Sequence, residues 1–571
     1  MPTHAAGPSA IRAAIQRSTE YMLDSQDPSG LWLSEVTGMT ATTALYLLVL
    51  DETGARHTHS AQVDRAVGWL LANQQPNGAW GERLGADHHL QVYTNEYTAL
   101  ALLALRRFLA ADAPAVAHGE CFLDGRPVGG AQMRDPFIRL LFNLYAGTQW
   151  AIERRFLPIP LSEVPAWAES GRLPATTEAI LVTTVLLMVQ YFQRTGQAGP
   201  GDADLEHWCL ERLPVLQTPD GGWQAVVMTA ELAIKGLHDA GQGPENPCVK
   251  KALDYLTGVQ NADGGLPVHS GLSVWETGLA MIALRCGGLP PEDPALLRGA
   301  EALLGVQVTN GSWGWEHTPG QAIAGDVDDT SVALLALHSA AHPVKDNAVR
   351  RAAAWLAEHQ SSSGGWATFD VEVDDLPLEI VRAQVDTTAH AVEALAAITG
   401  AGSPAVRRGW HWLLDHQRKN GSWRGYWFAR YVYGTMSALC ALGTGDQVAG
   451  RVAMARAVGW LLAEQRSDGG WGEDADGRPW HSTVEQTAWA VHALLSAGEP
   501  ADRDAVCRGL TFILDQIPDQ GMWAPASVGT YTNRFAGAYG TRLLPAIHSL
   551  IVLAHYQARA AGHAGLPVCY G

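Results

Sequence analysis

The 571-residue sequence predicts an all-α protein folded as two α/α barrels, or toroids, and three observations predict it. A phrase of the form Gln…Gly-x-Trp keeps returning, helical patterns flank every copy, and strand-type alternation is nearly absent. The copies read QDPSGLW from Gln26, QPNGAW from Gln75, QTPDGGW from Gln217, QNADGGL from Gln260, QVTNGSW from Gln307, QSSSGGW from Gln360, QRKNGSW from Gln417 and QRSDGGW from Gln465. A degenerate copy ends at Trp523. In the second half the period is about 50 residues, a spacing that marks repeat architecture.

Each element of the repeat has a physical reason. The helix before a phrase, such as AVGWLLANQQ, is amphipathic, and Pro, Asn, Asp and Gly then stop it. The helix after it, such as TNEYTALALLAL, is more uniformly apolar. The first kind is expected outside and the second inside. The Gln can bond backbone at a helix end while the Trp packs over its neighbour, which gives most of the 21 tryptophans a structural role. The phrase vanishes between about Ala117 and Pro200, where Pro and Gly rise. The expected division is one barrel over 16–273 and a second over 274–571, with the segment 1–15 packing back onto the second.

Bulk properties narrow the function. A net charge of −19 argues against nucleic acid as a partner. No apolar stretch reads as a spanning helix, and no basic-then-apolar leader pattern opens the chain. The seven scattered cysteines contain no C-x-x-C pair and suit a reducing, cytoplasmic setting. The expected partner is a small molecule, with the protein a monomer or homodimer and no membrane insertion.

One stretch concentrates chemistry. GDVDDTSVALLAL, from Gly325, crowds Asp326, Asp328 and Asp329 at the start of an apolar helix. Helix capping, metal binding and acid catalysis all suit such residues. Crowded, buried carboxylates resist a second charge, so at least one should hold a proton. A protonated carboxyl facing an apolar space can protonate an alkene. The carbocation so formed needs a dry lining of aromatic faces, each worth about 0.5–2 kcal/mol.

The repeats and DVDDT resemble squalene–hopene cyclase and its class II terpene cyclase relatives, over most of the chain and most densely after Asn261. The resemblance implies two barrels of the β and γ types, with the DxDD acid motif on the second. It implies Asp328 as the proton donor, flanked by Asp326 and Asp329. DTTAHAVE is similar to the family's DVTAHVxE and assigns His390 as partner of the acid. GYWFARYVYGT resembles GRWGVNYLYGT and assigns Trp427 to the lining and Tyr433 beside the acid. SVWETGLA assigns Trp275 and GGWATFD assigns Phe369 to the aromatic lining; Trp315 and Phe535 join them. NEYTALALL places Glu96 in the cavity wall.

The departures bear on substrate. FQRTGQAGPGDADLEHW runs from one helix to the next without the long insert of the squalene enzymes, and GRLPATTEAILVTTVLLM lacks an expected tryptophan. The resemblance therefore implies farnesyl or geranylgeranyl diphosphate, cyclised with the diphosphate retained to a bicyclic drimane- or labdane-type product; squalene or another C30 or meroterpenoid polyprene is the alternative. Diphosphate-using relatives bind Mg²⁺ with the diphosphate, and Glu35 is the candidate ligand. Arg430 and Arg542 are the candidates for the diphosphate itself. The ionising motif D-D-x-x-D is missing; DDLPLE, at Asp374, has its glutamate one position late. Protein prenyltransferase β-subunits, which need zinc, sugar-cleaving barrels with paired carboxylates, and a non-catalytic helical-repeat binder are the alternatives from other classes.

Overall fold

The computed structural model describes residues 7–81, 94–126, 136–155, 157, 159–318, 321–322, 324–369, 379–445, 448–474, 477–497, 503–518, 522–526, 528–530 and 538–562. Helix α1 (Pro8–Asp24) opens the chain. In the first ring the inner helices are α2 (Thr40–Glu52), α4 (Thr94–Leu105), α6 (Pro136–Ala146), α8 (Ala175–Arg194) and α10 (Val227–Asp239). Outside them lie α3 (Ser60–Ala72), α5 (Pro114–Leu123), the short α7 (Val164–Glu169), α9 (Asp202–Leu216) and α11 (Pro247–Gly258). Each inner helix packs on the next, and α10 returns to α2.

The second ring closes from α12 (Ser273–Cys286) through α14 (Val327–Ser339), α16 (Val385–Thr399), α18 (Arg430–Gly443), α20 (Val484–Ser496) and α22 (Leu544–Ala560), which packs back on α12. Its outer layer is α13 (Pro294–Gly305), α15 (Lys345–Glu358), α17 (Pro404–Asp415), α19 (Val448–Glu464) and α21 (Arg503–Asp515). The sixth outer position is taken by α1, which packs on α22. Strands among the described residues are three short antiparallel pairs. One apolar core gathers side chains mostly between Val36 and Val268, and another joins Ile11–Trp32 to Val274–Leu553. The sequence pattern suggested no spanning helix. Helix α8 is long and apolar enough to cross a membrane, yet 89% of its apolar window is buried as an inner helix of the first ring.

The repeated phrase is a clamp between outer helices. Each Trp indole donates to the carbonyl ten residues earlier, as in Trp313 to Leu303 (2.7 Å), Trp366 to Leu356 (2.7 Å) and Trp423 to Leu413 (2.6 Å). Each Gln amide donates to the Gly of its own phrase and to the first turn of the next outer helix; Gln307 reaches Gly311 (2.8 Å) and Ala348 (3.0 Å). An arginine three residues beyond that turn donates back to the Gln oxygen, as Arg351 does to Gln307 and Arg456 to Gln417. The Gly adopts positive φ: at Gly311 φ is +100°, and a Cβ there would lie 2.9 Å from the Arg351 Cβ. The clamp needs Gln four residues before Gly, so in the second copy it is Gln74, not Gln75, that bonds Gly78 and Ala115. A threonine on the next inner helix accepts the Trp backbone N–H, through Thr330 for Trp313 and Thr388 for Trp366. This latch fixes the N-terminal ends of the inner helices.

Candidate active site

Those N-terminal ends meet at a cavity of about 470 Å³ bounded by both rings. The first turns of α6, α8 and α10 contribute Phe137, Thr176 and Thr229; those of α12 and α14 contribute Trp275, Asp328 and Asp329. The inner helices are buried on nearly every face, so polar residues at their starts are held in low dielectric.

The three aspartates take different tasks from one helix start. Asp326 is the N-cap of α14, and its Oδ1 accepts the Asp329 N–H at 2.8 Å. Burial holds its carboxyl well above the usual range, against the opposing pull of that N–H, with the Asp328 charge adding to the rise. Asp329 is also held well above the usual range, first by burial and then by the charges of Asp326 and Asp328. Asp328 lines the cavity, and its Oδ1 sits 2.9 Å from His390 Nδ1. The other His390 nitrogen, Nε2, lies 3.3 Å from the Tyr433 hydroxyl. Burial pushes the Tyr433 phenol well above its ordinary value, so it stays neutral. His390 and Tyr433 are buried behind Asp328, outside the lining.

The expected aromatic wall is present. Trp275, Trp315, Phe369 and Trp427 all line the cavity. Trp315 and Phe369 rings are 5.6 Å apart, and Phe369 meets Trp427 edge-on at 6.0 Å. Trp427 is oriented by its indole N–H, which donates to Thr368 Oγ1 at 2.8 Å. Its backbone N–H and that of Tyr426 donate to Asp386 Oδ2 at 2.9 and 2.7 Å. Burial and the Asp328 charge raise the Asp386 carboxyl.

Other expectations land elsewhere. Glu96 is half-buried in the first turn of α4, outside the lining. Arg430 is buried as the first residue of α18 and is likewise outside it. Arg542 and Glu35 pair with each other at 2.7 Å, and the second Glu35 oxygen accepts the Ala262 N–H at 2.9 Å. A carboxylate with both oxygens so engaged does not fit a metal ligand, nor does an arginine so paired fit a diphosphate clamp. Among the described residues no group of three or more His, Cys, Asp or Glu is arranged to hold a metal ion. Phe535 lies outside the described residues, as does Asp374; Glu379, which ends the DDLPLE string, pairs with Arg424.

The lining also holds residues the sequence reading missed. Phe428 follows Trp427 directly, and Tyr539 meets the Phe428 ring at 6.3 Å. Asp386, buried behind the lining, stands one helical turn before His390, so its signal was inside the DTTAH string. Nothing in the pattern around Tyr539 singled it out.

Comparison with known proteins agrees with this geometry. The model of the squalene-hopene cyclase C-terminal domain matches residues 272–556, and that of the N-terminal domain matches 15–171. The chain is 29% identical to the squalene–hopene cyclase of Alicyclobacillus acidocaldarius, covering 91% of this chain and 94% of that one. It is 25% identical to that of Zymomonas mobilis, covering 90% of each. Among solved structures, the ent-copalyl diphosphate synthase from Streptomyces platensis aligns with a TM-score of 0.60 at 21% identity, over 96% of this chain and 99% of that one, a likeness of fold.

Proposed function

We propose, from the premise that the chain belongs to the squalene–hopene cyclase family of class II terpene cyclases, that it protonates and cyclises a linear polyprene carrying no diphosphate. One observation carries the choice of substrate. Among the described residues the lining contains no Lys, Arg or His, and its only carboxyl groups are Asp326, Asp328 and Asp329. A diphosphate in this desolvated space would face carboxylates with no cation to offset its charge.

Asp328 gives its proton to the terminal alkene. The alkene π pair forms the new C–H bond, and a tertiary cation remains. His390 Nδ1–H donates to Asp328 Oδ1, which leaves the acidic proton on the other oxygen and stabilises the carboxylate after transfer. Tyr433 holds the far side of the imidazole. The cation is attacked by the next alkene of the folded chain, ring by ring, beside Trp275, Trp315, Phe369 and Trp427. Loss of a proton or addition of water ends the cascade.

A diphosphate of fifteen or twenty carbons, retained through cyclisation and bound with Mg²⁺, is the second reading. It is favoured by the short link of residues 195–201 between α8 and α9, which leaves no room for the insert of the squalene enzymes. Incubation with squalene, farnesyl diphosphate and geranylgeranyl diphosphate, each with and without Mg²⁺, separates the two. Turnover of the neutral polyene indifferent to Mg²⁺ is expected; Mg²⁺-dependent turnover of the diphosphates alone would refute it.

A further inference from the structure

The wall that the first ring gives to the cavity is not the plain apolar surface a hydrocarbon needs. Thr176, Ile180, Thr183 and Thr184 follow one face of α8 at helical spacing, and Thr229 joins them from α10. Three of the four threonines of α8 line the cavity; the fourth, Thr177, is buried outside the lining and its hydroxyl has no hydrogen-bond partner either. Thr184 satisfies its hydroxyl on the Ile180 carbonyl at 2.8 Å, as helical threonines commonly do. Thr176 and Thr183 do not. They are 4% and 1% exposed, and neither Oγ1 has a hydrogen-bond partner. Buried hydroxyls left unpaired are costly, and such groups in a lining are the ones a ligand satisfies.

We propose that this threonine wall binds a neutral hydroxyl at the head of the polyprene, an alcohol or a phenol, while the opposite isoprene end meets Asp328. The inference rests on the neutral-substrate reading above and sharpens it. Threonine offers a donor and acceptor without charge, which suits a hydroxyl, and among the described residues no Lys, Arg or His lines the cavity to suit an anion. Holding the head on the first ring and the terminal alkene on the second also fixes which double bond reaches the acid.

The test compares a C20 all-trans polyprenol with the C20 hydrocarbon that lacks only the hydroxyl. Thr183→Val and Thr176→Val keep the shape and remove the hydroxyl; Thr183→Ser keeps it. The valine variants should raise KM for the polyprenol about tenfold each, leave KM for the hydrocarbon unchanged, and be rescued by serine. Equal changes for both ligands, or none for the polyprenol, would overturn the proposal. So would an unchanged KM with a shift from hydroxylated to alkene products, which would assign the wall to a quenching water. If wild type turns over only diphosphates, the neutral-substrate reading falls, and the wall is then judged by polyprenol binding to the Asp328→Asn protein. Tenfold weaker binding on adding Thr183→Val would still support it, and equal binding would not.

Discussion

Replacing His390 by Phe removes the group that holds the acid while nearly preserving the volume of a fully buried ring. With the 3.3 Å contact to the Tyr433 hydroxyl goes the one that holds the acid, the 2.9 Å bond to Asp328 Oδ1. A hydrogen bond to a charged group contributes about 1.5–3 kcal/mol, and this one reaches full strength only once Asp328 has given up its proton. The loss therefore falls on the transition state and predicts a fall in kcat of roughly 10- to 150-fold. KM should stay within about twofold, because uniform binding is untouched and His390 does not line the cavity. Tyr433→Phe removes only the longer 3.3 Å contact to the imidazole and should cost less. Steady-state product formation followed by gas chromatography, with thermal melting as a check on folding, measures both. A folded His390→Phe protein with wild-type kcat, or a defect confined to KM, would refute the assignment.

Other outcomes follow from the same contacts. Gln307→Ala removes two amide hydrogen bonds and the bond Arg351 makes to the Gln oxygen, so the urea midpoint should fall by the equivalent of about 1–3 kcal/mol with little change in KM. Burial raises the Glu473 carboxyl to about 7, from an ordinary value of 4.5, against two N–H groups at the start of α18. The folded protein thus holds this proton longer than the unfolded chain; the group's stabilising contribution is full below pH 4.5 and is lost as pH rises through 7. Glu473→Gln should accordingly gain on wild type across that window, by up to about 3 kcal/mol, in melts taken at successive pH values; a difference that shrinks with pH would contradict the buried-acid picture. Arg542→Ala should leave KM for any prenyl diphosphate unchanged and cost at most about 1 kcal/mol of stability, because its partner is Glu35 at a half-exposed site.

The sequence was most legible where function and repeat share a pattern. The phrase that recurs from Gln26 to Trp471 disclosed the outer–inner alternation, because a clamp of fixed geometry must repeat its Gln, Gly and Trp. Its arginine and threonine partners were not legible, since they lie on neighbouring helices at distances set by ring closure, not by chain spacing. DVDDT, DTTAH and GYWFARYVYGT led to residues that the fold brings together at the cavity, because each places them within one or two helical turns of a latched helix start. Isolated residues fared worse. Glu35 and Arg542 each suited an ionic ligand when read alone, and only folding showed that they neutralise each other across 507 positions of chain (542 − 35). Tyr539 reaches the cavity from a hairpin whose pattern carries no chemistry of its own.

The start of α14 shows why four polar residues within five positions need not mean one function. Successive helical residues turn by about 100°, so Asp328, Asp329 and Thr330 point in different directions, while Asp326 stands outside the helix as its extended N-cap. Asp326 closes the helix end and Thr330 takes the Trp313 N–H; all three aspartates line the cavity, and Asp328 is the one that meets His390. Asp329 sits beside Asp328, and both Asp326 and Asp329 are held well above the usual carboxylate range, first by burial and then by the Asp328 charge, with Asp326 adding to the rise at Asp329. A helix N-terminus favours negative charge within its first turn, so the carboxylate that Asp328 becomes is stabilised where it forms. The neutral neighbours supply the opposite condition beforehand, a dry carboxyl cluster that resists a second charge. Placement therefore suits the cluster to the proposed role of proton source. A metal bound there would need these carboxyls ionised together, which burial opposes, and would displace the His390 contact that orients the donor.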